Sequence, residues 1–344
     1  MALYKKVLVI LSRITQVGGG ALKVILCLPT LNAVQEQVSF HDALKRQSFV
    51  LFDFLVIDSS STDASTAFFE ANGARLHVIP RTSFNHGATR QLALTLCPNA
   101  DIIIYMTQDA ILASPDAIKN ILEPFDDEKV GAVCGRQLPH ADASPLAAHA
   151  RLFNYPAGSS IKSKDDIAQL GIKAAFISNS FAAYRRIALM EVGGFPSDVI
   201  FGEDTFVAAR MLQAGWKVAY AGDATCYHSH NYSMREEFER YFDIGVFHTR
   251  EKWFIAALGK PEGEGKKFVI SETCYLSKHA PWLIPSAIVR SGLKLLGYKL
   301  GQREQGMPLW LKRKLSMNKG YWKEKLEDKR LFSRGDAEIR RDRQ

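Results

Sequence analysis

Polar side chains that could bind a nucleoside follow two of the apolar runs in this sequence. Pro29 and Thr30 end the first run, and Asp58-x-Ser60 ends the second. An Asp can accept hydrogen bonds from a base N–H or a ribose hydroxyl, while Thr and backbone groups frame the ring. The alternative for Asp58 is ordinary turn chemistry, in which the carboxylate bonds to nearby backbone. The two segments therefore favour a nucleoside site and leave a structural role open.

A second group of residues, at the start of a predicted helix, has the chemistry to bind a diphosphate. The helix begins at about Gly87, directly after His86, and Arg90 lies one turn further along. Unpaired N–H groups at a helix N terminus attract anions, and a guanidinium can bind two phosphate oxygens at once. A single Arg in a first turn is otherwise usually solvated. The position after a predicted strand favours the diphosphate.

Asp109 and His228 are the candidate ligands for a divalent cation. Gln108 and Asp109 end the fourth apolar run. A carboxylate at that place could hold an ion that bridges two phosphates. His228 and His230 follow a later predicted strand and point to one side if the chain is extended. A hydrogen-bonded structural pair of histidines is the alternative.

Two adjacent carboxylates, those of Glu203 and Asp204, could carry out proton transfer. They follow Gly202 at the start of a helix predicted for residues 204–215. Adjacent carboxylates in a cleft can divide labour, with one orienting a group and the other accepting a proton. Acidic residues in a first helical turn are also common simply because their negative charge interacts favourably with the helix dipole. The pair is therefore the candidate catalytic group.

Alternating strand and helix patterns would position these polar residues. The strand-like runs, mostly rich in Val, Ile and Leu, cover residues 23–29, 54–58, 75–79 and 101–106. Helical patterns fill the intervening segments at residues 31–48, 61–72 and 87–97. This alternation predicts a doubly wound α/β domain whose ligands bind at the carboxyl ends of the strands. Residues 137–170 mix Pro, Ala, Ser, His and Lys, and predict a mobile acceptor-side loop somewhere within this segment.

The composition is that of a globular protein, but the charge is uneven. Of the 344 residues, 47% are hydrophobic and 23% are charged, which excludes disordered, collagenous and small disulfide-stapled chains. Five scattered cysteines without CxxC spacing predict reduced thiols. The N-terminal apolar run is too short for a signal peptide, so a cytoplasmic location is expected. Residues 260–344 carry a net charge of +10, whereas the whole chain carries +8.

The C-terminal quarter mixes apolar and basic residues. In residues 275–300, Arg290, Lys294 and Lys299 alternate with Ile and Leu, and residues 310–315 repeat the mixture. The pattern is typical of an amphipathic helix on an anionic membrane surface. A helix packed on the α/β domain with a solvated basic face is the alternative. We therefore predict an N-terminal extension at 1–22, an α/β catalytic domain at 23–255 and a basic, membrane-associating helical region at 256–344.

In their order along the chain, these motifs resemble the inverting glycosyltransferases of family 2, which have the GT-A fold. Within that family the chain looks most like the bacterial rhamnosyltransferases. The narrower resemblance rests on the phrases at residues 84–87 (FNHG), 107–110 (TQDA) and 228–233 (HSHNYS). It covers roughly residues 23–255. The resemblance implies a GT-A type of α/β fold, with a doubly wound, mixed and mostly parallel sheet.

The resemblance also implies which residues bind a nucleotide sugar. Pro29, Thr30 and Asp58 would hold the nucleoside, and Arg90 would meet the diphosphate. The full set of implied donor-binding residues is Pro29, Thr30, Asp58, Ser60, His86, Gly87, Arg90, Gln108 and Asp109.

A metal ion and a general base complete the implied site. Asp109 would be the remaining acid of the family's DxD motif and would bind Mg²⁺ or Mn²⁺, with His228 as a further ligand. Thr107 stands where many relatives have the first Asp of that motif. Asp204 would be the general base that deprotonates the acceptor hydroxyl, and Glu203 would support it.

The implied reaction moves L-rhamnose from dTDP-β-L-rhamnose to a hydroxyl of a lipid-linked saccharide in the synthesis of a bacterial surface polysaccharide. The basic C-terminal region would hold the enzyme at the inner face of the cytoplasmic membrane. The nearest alternative is the same fold with a UDP-sugar donor. A protein that binds anionic surfaces or nucleic acid without catalysis, and an inactive scaffold, are alternatives of other classes. No nucleic-acid motif is recognised, so no nucleic-acid partner is expected; a homo-oligomer is left open.

Overall fold

A mixed β-sheet forms the centre of the fold. The computed structural model describes residues 22–50, 52–259 and 263–322. The strands within these residues are β1 (Val24–Thr30), β2 (Phe52–Asp58), β3 (Arg75–Val78), β4 (Ile102–Met106), β5 (Ile111–Leu112), β6 (Val130–Leu138), β7 (Ser160–Lys162), β8 (Phe181–Arg185) and β9 (Lys217–Tyr227). Their spatial order is β3-β2-β1-β4-β8-β6-β9-β5, and the short β7 also pairs with β9.

The sheet is mostly parallel and is buried on both faces. β1 pairs in parallel with β2 and β4, and β6 with β9, whereas β8 runs antiparallel to β4 and β6. Leu26 packs into the core on one face and Cys27 into the core on the other, and both are fully buried. Burial on both faces explains the nearly continuous apolar runs of these strands. The predicted α/β class and the four predicted strands are confirmed.

Helices cover the two faces of the sheet. Within the described residues they are α1 (Gln37–Lys45), α2 (Ser65–Ala71), α3 (His86–Leu96), α4 (Ala117–Leu122), α5 (Pro145–Asn154), α6 (Ile167–Leu170), α7 (Arg186–Glu191), α8 (Glu203–Gln213), α9 (Met234–Arg250), α10 (Lys252–Leu258), α11 (Glu264–His279), α12 (Ile284–Gly301) and α13 (Leu309–Leu315). None of these helices is long and apolar enough to cross a membrane.

The direction of the chain through the sheet reverses beside β1. From β1 the chain proceeds outward to β2 and β3, and it then returns to the other side of β1 as β4. The loops after β1 and β4 therefore diverge and leave a crevice, which is where open α/β sheets bind ligands. Thr30 ends β1, and Gln108 and Asp109 follow β4, so both predicted motifs border this crevice.

Residues 137–170 combine regular elements with two segments, 139–144 and 155–159, that have neither helix nor strand. The regular elements include α5, which Ser144 caps by accepting a hydrogen bond from the Ala147 N–H at 3.2 Å. Pro145 occupies the first position of that helix, where its missing N–H costs nothing. The segment also contains β7, which pairs antiparallel with β9. A loop within residues 137–170 is thus compatible with the structure, and its mobility and its contact with an acceptor stay predictions.

The C-terminal helix α12 packs closely against α9. A Cβ atom on Gly297 would lie 2.5 Å from the carbonyl oxygen of Phe238, and one on Gly301 would lie 2.0 Å from that of Phe242. Residues four positions apart share a helix face, so the two glycines together allow the backbones to approach. α12 is therefore packed directly on α9, and at Gly297 and Gly301 the two backbones lie too close together for a side chain.

The predicted division of the chain into three regions stays a prediction. Its boundary between residues 255 and 256 falls inside α10. Residues 1–21 of the predicted extension lie outside the described residues, as do residues 323–344 of the basic region.

Candidate active site

Two adjoining cavities contain the predicted catalytic and metal-binding residues. Glu203 and Asp204 lie in the first turn of α8 and line a cavity of about 1060 Å³. Asp109 and His228 line a smaller cavity of about 320 Å³. Thr107 lines both cavities, so the two spaces share a wall. The fold thus brings together the two groups, which lie far apart in the sequence.

Glu203 is held as an anion by Arg90. The Oε1 atom of Glu203 lies 2.8 Å from Nη1 of Arg90 and 3.3 Å from Nδ2 of Asn179. Burial works to raise the pKa of Glu203, but the charges of Arg90 and His86 together with its hydrogen bonds outweigh burial, so that the pKa is lowered. Arg90 is only 5% exposed and also donates to the carbonyl oxygen of His86. Its partner here is thus Glu203, and the contact of Arg90 with a diphosphate stays a prediction.

Asp204 has the opposite environment and is the better proton acceptor. Its Oδ1 accepts from the Thr205 N–H at 2.7 Å, and its Oδ2 accepts from the Asn179 N–H at 3.2 Å. Burial and the nearby charge of Glu203 raise the pKa of Asp204 to about 6. Neighbouring carboxylates whose pKa values are pushed apart can act as a fixed anion and a proton acceptor. Asp204 is mostly ionised at neutral pH and takes up a proton readily, as a general base must.

Asp109, His228 and His230 form a cluster that could hold a metal ion. One donor atom of each residue lies within 4.8 Å of the donor atoms of the other two. From Oδ2 of Asp109, Nε2 of His228 is 3.4 Å away and Nε2 of His230 is 3.8 Å away. The sequence pointed to Asp109 and His228 as ligands but not to His230. The signal for His230 was the His-x-His spacing directly after β9, which places both rings on one side.

The hydrogen bond of His228 and the charge state of His230 fit a bound cation. Nδ1 of His228 donates to Oε1 of Gln137 at 2.9 Å, which turns Nε2 toward Asp109 and the Ser180 hydroxyl, each 3.4 Å away. Arg151 donates to the same Gln137 oxygen and fixes the amide orientation. Burial lowers the pKa of His230 to about 4, so this ring is neutral at pH 7. One carboxylate and two imidazoles suit a divalent transition-metal ion better than Mg²⁺, which takes oxygen ligands.

The residues predicted to bind the nucleoside lie together at the ends of β1 and β2. The Thr30 hydroxyl donates to Oδ1 of Asp58 at 3.1 Å, and the Ser61 N–H donates to Oδ2 at 2.7 Å. Asp58 is only 1% exposed. These bonds hold the two loops together. They agree with the alternative role for Asp58, in which its carboxylate bonds to groups of the nearby turn. Contact of Asp58 with a nucleoside stays a prediction.

Pro29, Ser60 and Gln108 border the same crevice. Pro29 lies within β1, and Ser60 has a φ of 58° and donates its hydroxyl to the Ile79 carbonyl oxygen at 2.8 Å. Gln108 links β4 to the loop after β1, because its Oε1 accepts from the Leu31 N–H at 2.9 Å. The loops around the crevice are therefore held in place by their own side chains.

The N terminus of α3 is already capped by the protein. Oδ1 of Asn85 accepts hydrogen bonds from the N–H groups of Gly87 and Ala88, both at 3.0 Å. The free donors that the sequence predicted for a diphosphate are thus occupied. The glycine at position 87 instead allows the segment around Pro196 to pack closely against the helix. A Cβ atom at this position would lie 1.7 Å from the carbonyl oxygen of Pro196. His86 and Gly87 do line the larger cavity.

The C-terminal segment 317–321 also lines the larger cavity, which the sequence did not predict. It is held by Asp243 of α9, whose Oδ2 accepts from both the N–H and Nδ2 of Asn318 at 3.0 Å. Arg250 of the same helix donates to the Tyr321 hydroxyl at 2.9 Å. No local pattern marks this segment, because its place depends on a helix about 75 residues earlier.

Several known proteins are similar to this chain. The model of the family described as Glycosyl transferase family 2 matches residues 25–193. The O-antigen chain rhamnosyltransferase RfbN of Salmonella typhimurium is 50% identical over 302 residues, which cover 88% of this chain and 96% of that protein. The O-antigen chain rhamnosyltransferase WbaN of Salmonella anatum is 48% identical over 299 residues, which cover 86% of this chain and 95% of that protein.

A solved structure shares the fold. It is that of mannosyltransferase PcManGT from Pyrobaculum calidifontis in complex with GDP-Man and Mn²⁺, with a TM-score of 0.52 and 18% identity over 93% of this chain and 92% of that one. This likeness confirms the implied GT-A type of sheet. The sequence identity to the two rhamnosyltransferases extends over most of each chain, and the carboxylates and histidines of the implied motifs lie around adjoining cavities. The chain therefore belongs to glycosyl transferase family 2.

Proposed function

We propose that this glycosyltransferase transfers L-rhamnose from dTDP-β-L-rhamnose to a hydroxyl of a lipid-linked saccharide in O-antigen synthesis. The observation that carries an inverting reaction is the carboxylate of Asp204, which lines a cavity adjoining the cluster of Asp109, His228 and His230. The identity of 50% to an O-antigen rhamnosyltransferase supports rhamnose as the sugar.

In the proposed reaction, the acceptor and the leaving nucleotide occupy different cavities. The acceptor hydroxyl lies in the larger cavity, where Asp204 takes its proton as the oxygen attacks the anomeric carbon. The bond from that carbon to the phosphate oxygen breaks on the opposite face, and its electron pair leaves with the diphosphate. Glu203, kept ionised by Arg90, increases the proton affinity of Asp204 through its negative charge.

Asp109, His228 and His230 would hold a divalent cation beside the diphosphate. When bound, such an ion neutralises the charge that develops on the leaving phosphate oxygens. Gln137 would orient the ring of His228. The two imidazole ligands favour Mn²⁺ over Mg²⁺ in this proposal.

Calorimetric titration tests the choice of donor. We expect dTDP-rhamnose and dTDP to bind at least about tenfold more tightly than UDP-N-acetylglucosamine and UDP, because a pocket shaped for the thymine methyl discriminates by that amount. Each ligand is titrated with Mn²⁺ and with EDTA. Preference for the uridine ligands would discard rhamnose and favour a UDP-sugar donor. Absence of binding by all four ligands would contradict the glycosyltransferase reaction itself.

We also propose that the C-terminal helices attach the enzyme to the inner face of the cytoplasmic membrane. Trp282, Ile288, Leu295 and Trp310 are between 61% and 74% exposed. Ile288 and Leu295 lie seven residues apart on α12 and therefore share one face of that helix. Large apolar side chains exposed in this way, with Trp among them, are typical of a helix that lies in a membrane interface.

The basic residues of α12 contribute less to this surface than the sequence predicted. Nη1 of Arg290 lies 3.1 Å and Nζ of Lys294 lies 3.3 Å from the carboxylate of Glu237 on α9. Both side chains are mostly buried, whereas Lys299 is exposed. Two of the three cations thus neutralise an internal carboxylate. The proposed attachment rests mainly on the apolar side chains.

A triple variant tests the proposed membrane surface. Trp282→Gln, Leu295→Gln and Trp310→Gln together should weaken binding to anionic vesicles by about tenfold or more, because each change removes exposed apolar area from the interface. Sedimentation with phosphatidylglycerol-containing vesicles measures the partition. Ile187→Gln on α7 is the matched control, since Ile187 is 65% exposed but lies on another helix. Unchanged sedimentation of the triple variant would contradict the proposal.

A further inference from the structure

Arg240 of α9 is the cationic residue that lines both cavities of the site. It is half-buried, and its guanidinium lies 4.8 Å from the ring centroid of Phe201 and 5.8 Å from that of Tyr232. Phe201 precedes Glu203 by two residues, and Tyr232 follows His230 by two. The two rings therefore hold the guanidinium between the segment that bears the base and the segment that bears the histidines.

The N–H groups of Arg240 have no acceptor among the described residues. The contacts of its guanidinium within that part of the chain are the two aromatic rings, which bind a cation by their faces and accept no conventional hydrogen bond. Arg90, by contrast, is paired with Glu203, and Arg151 donates to Gln137. A half-buried guanidinium with five unused donors is arranged to bind an anion.

The position of Arg240 identifies the anion. In the proposed reaction the acceptor oxygen bonds to the anomeric carbon in the larger cavity. The diphosphate leaves toward the metal-ligand cluster in the smaller one. A residue on the shared wall lies beside the bond that breaks, where negative charge develops on the leaving phosphate oxygens. Preorganised donors aimed at such a charge are usually the largest electrostatic contribution to catalysis.

We propose that Arg240 binds the diphosphate of the nucleotide sugar and stabilises its charge as it leaves. This inference rests on the proposed function and moves the diphosphate contact from Arg90 to a residue on α9. Arg240 lies beyond residues 25–193, which the family model matches, so the C-terminal half of the chain would supply this part of the site. Its fixed planar donors suit two phosphate oxygens, as the single ammonium of Lys would not.

The test compares ligands with one and with two phosphates. Arg240→Gln should weaken dTDP binding by about 10- to 100-fold, the amount expected for lost charge-assisted hydrogen bonds, and leave dTMP binding within about threefold. Calorimetry with Mn²⁺ and with EDTA measures the dissociation constants of both ligands. The loss of affinity for dTDP should also be seen in EDTA. The turnover number should fall by about 100-fold. Arg240→Met, which keeps an unbranched aliphatic side chain but removes the guanidinium, should behave in the same way.

Arg235→Gln is the matched control on the same helix, because Arg235 is an exposed residue paired with Glu239. It should leave the affinities for dTDP and dTMP and the turnover number unchanged. Equal dTDP affinity in the wild type and in the Arg240→Met variant would overturn the proposal, as would an equal loss for dTDP and dTMP. A wild-type protein that prefers UDP would instead contradict the proposed donor, and the same comparison with UDP and UMP would then test Arg240.

Discussion

Replacing Asp204 by Asn should lower the turnover number about 100-fold or more and leave the dissociation constant of dTDP-rhamnose within about twofold. Asn has nearly the same shape and can still accept the Thr205 N–H, but it cannot take the proton of the acceptor hydroxyl. Initial rates at saturating donor and acceptor, with calorimetry of the donor, measure the two effects. A turnover number within about threefold of the wild type would remove Asp204 from the role of base.

The pH dependence of kcat/KM examines the same carboxylate independently. Because Asp204 must be ionised to accept a proton, kcat/KM should fall as the pH drops below about 6. Glu203→Gln removes a negative charge that raises the pKa of Asp204, so the acid limb of the profile should move to lower pH. Glu191→Gln is the control, since Glu191 bonds to Trp216 instead. An acid limb that stays in place in Glu203→Gln would contradict the coupling of the two carboxylates.

Asp109→Asn and His228→Gln should each lower the turnover number by about 100-fold or more and weaken the activation by Mn²⁺. Each change removes one ligand of the proposed ion while keeping the approximate size of the side chain. The measurement is the rate as a function of Mn²⁺ concentration, together with electron paramagnetic resonance of the free ion. The His279→Gln variant serves as the control because His279 is exposed and stacks on Tyr275.

Turnover in EDTA equal to that in Mn²⁺ would contradict a role for the ion in the wild-type protein. The charge on the leaving diphosphate would then be met by cationic side chains alone. If the ion has no role, Arg240 stabilises the leaving diphosphate without its help. The Arg240 variants should then lose more turnover than they would if a bound ion shared this stabilisation. The two experiments therefore divide the stabilisation of the leaving group between the proposed ion and the guanidinium.

The C-terminal region contributes to the wall of the larger cavity as well as to the proposed membrane surface. Residues 317–321 line the larger cavity, and Trp322 is only 1% exposed. Truncation after residue 267 would remove this wall together with α12, whose glycines lie against the α9 backbone. Loss of activity in such a truncation would thus follow from the missing wall whether or not the enzyme binds a membrane. Point substitutions on the exposed face separate the two functions.

The strands and the motifs at their ends could be predicted from the sequence because both are local signals. Val24–Thr30 and Ile102–Met106 are apolar runs of strand length, since a strand buried on both faces needs apolar side chains on both. The topology of an alternating α/β chain then places the ends of such strands at one edge of the sheet. Asp109 could accordingly be predicted as a candidate site residue from its place after β4, and Asp204 from its place at the start of a predicted helix.

The α/β class, the family and the candidate site residues Asp109, Glu203, Asp204 and His228 could be predicted from the sequence, because strand and helix patterns and short motifs are local signals. The partners of the charged groups depend on the fold. Arg90 pairs with Glu203, and Arg290 with Glu237, although both were expected to face phosphates. That the N–H groups of Arg240 have no acceptor among the described residues is likewise visible only in the fold. A cationic side chain pairs with the carboxylate that lies within a few ångströms of it in the folded chain. Which carboxylate that is depends on contacts between segments that are distant in the sequence.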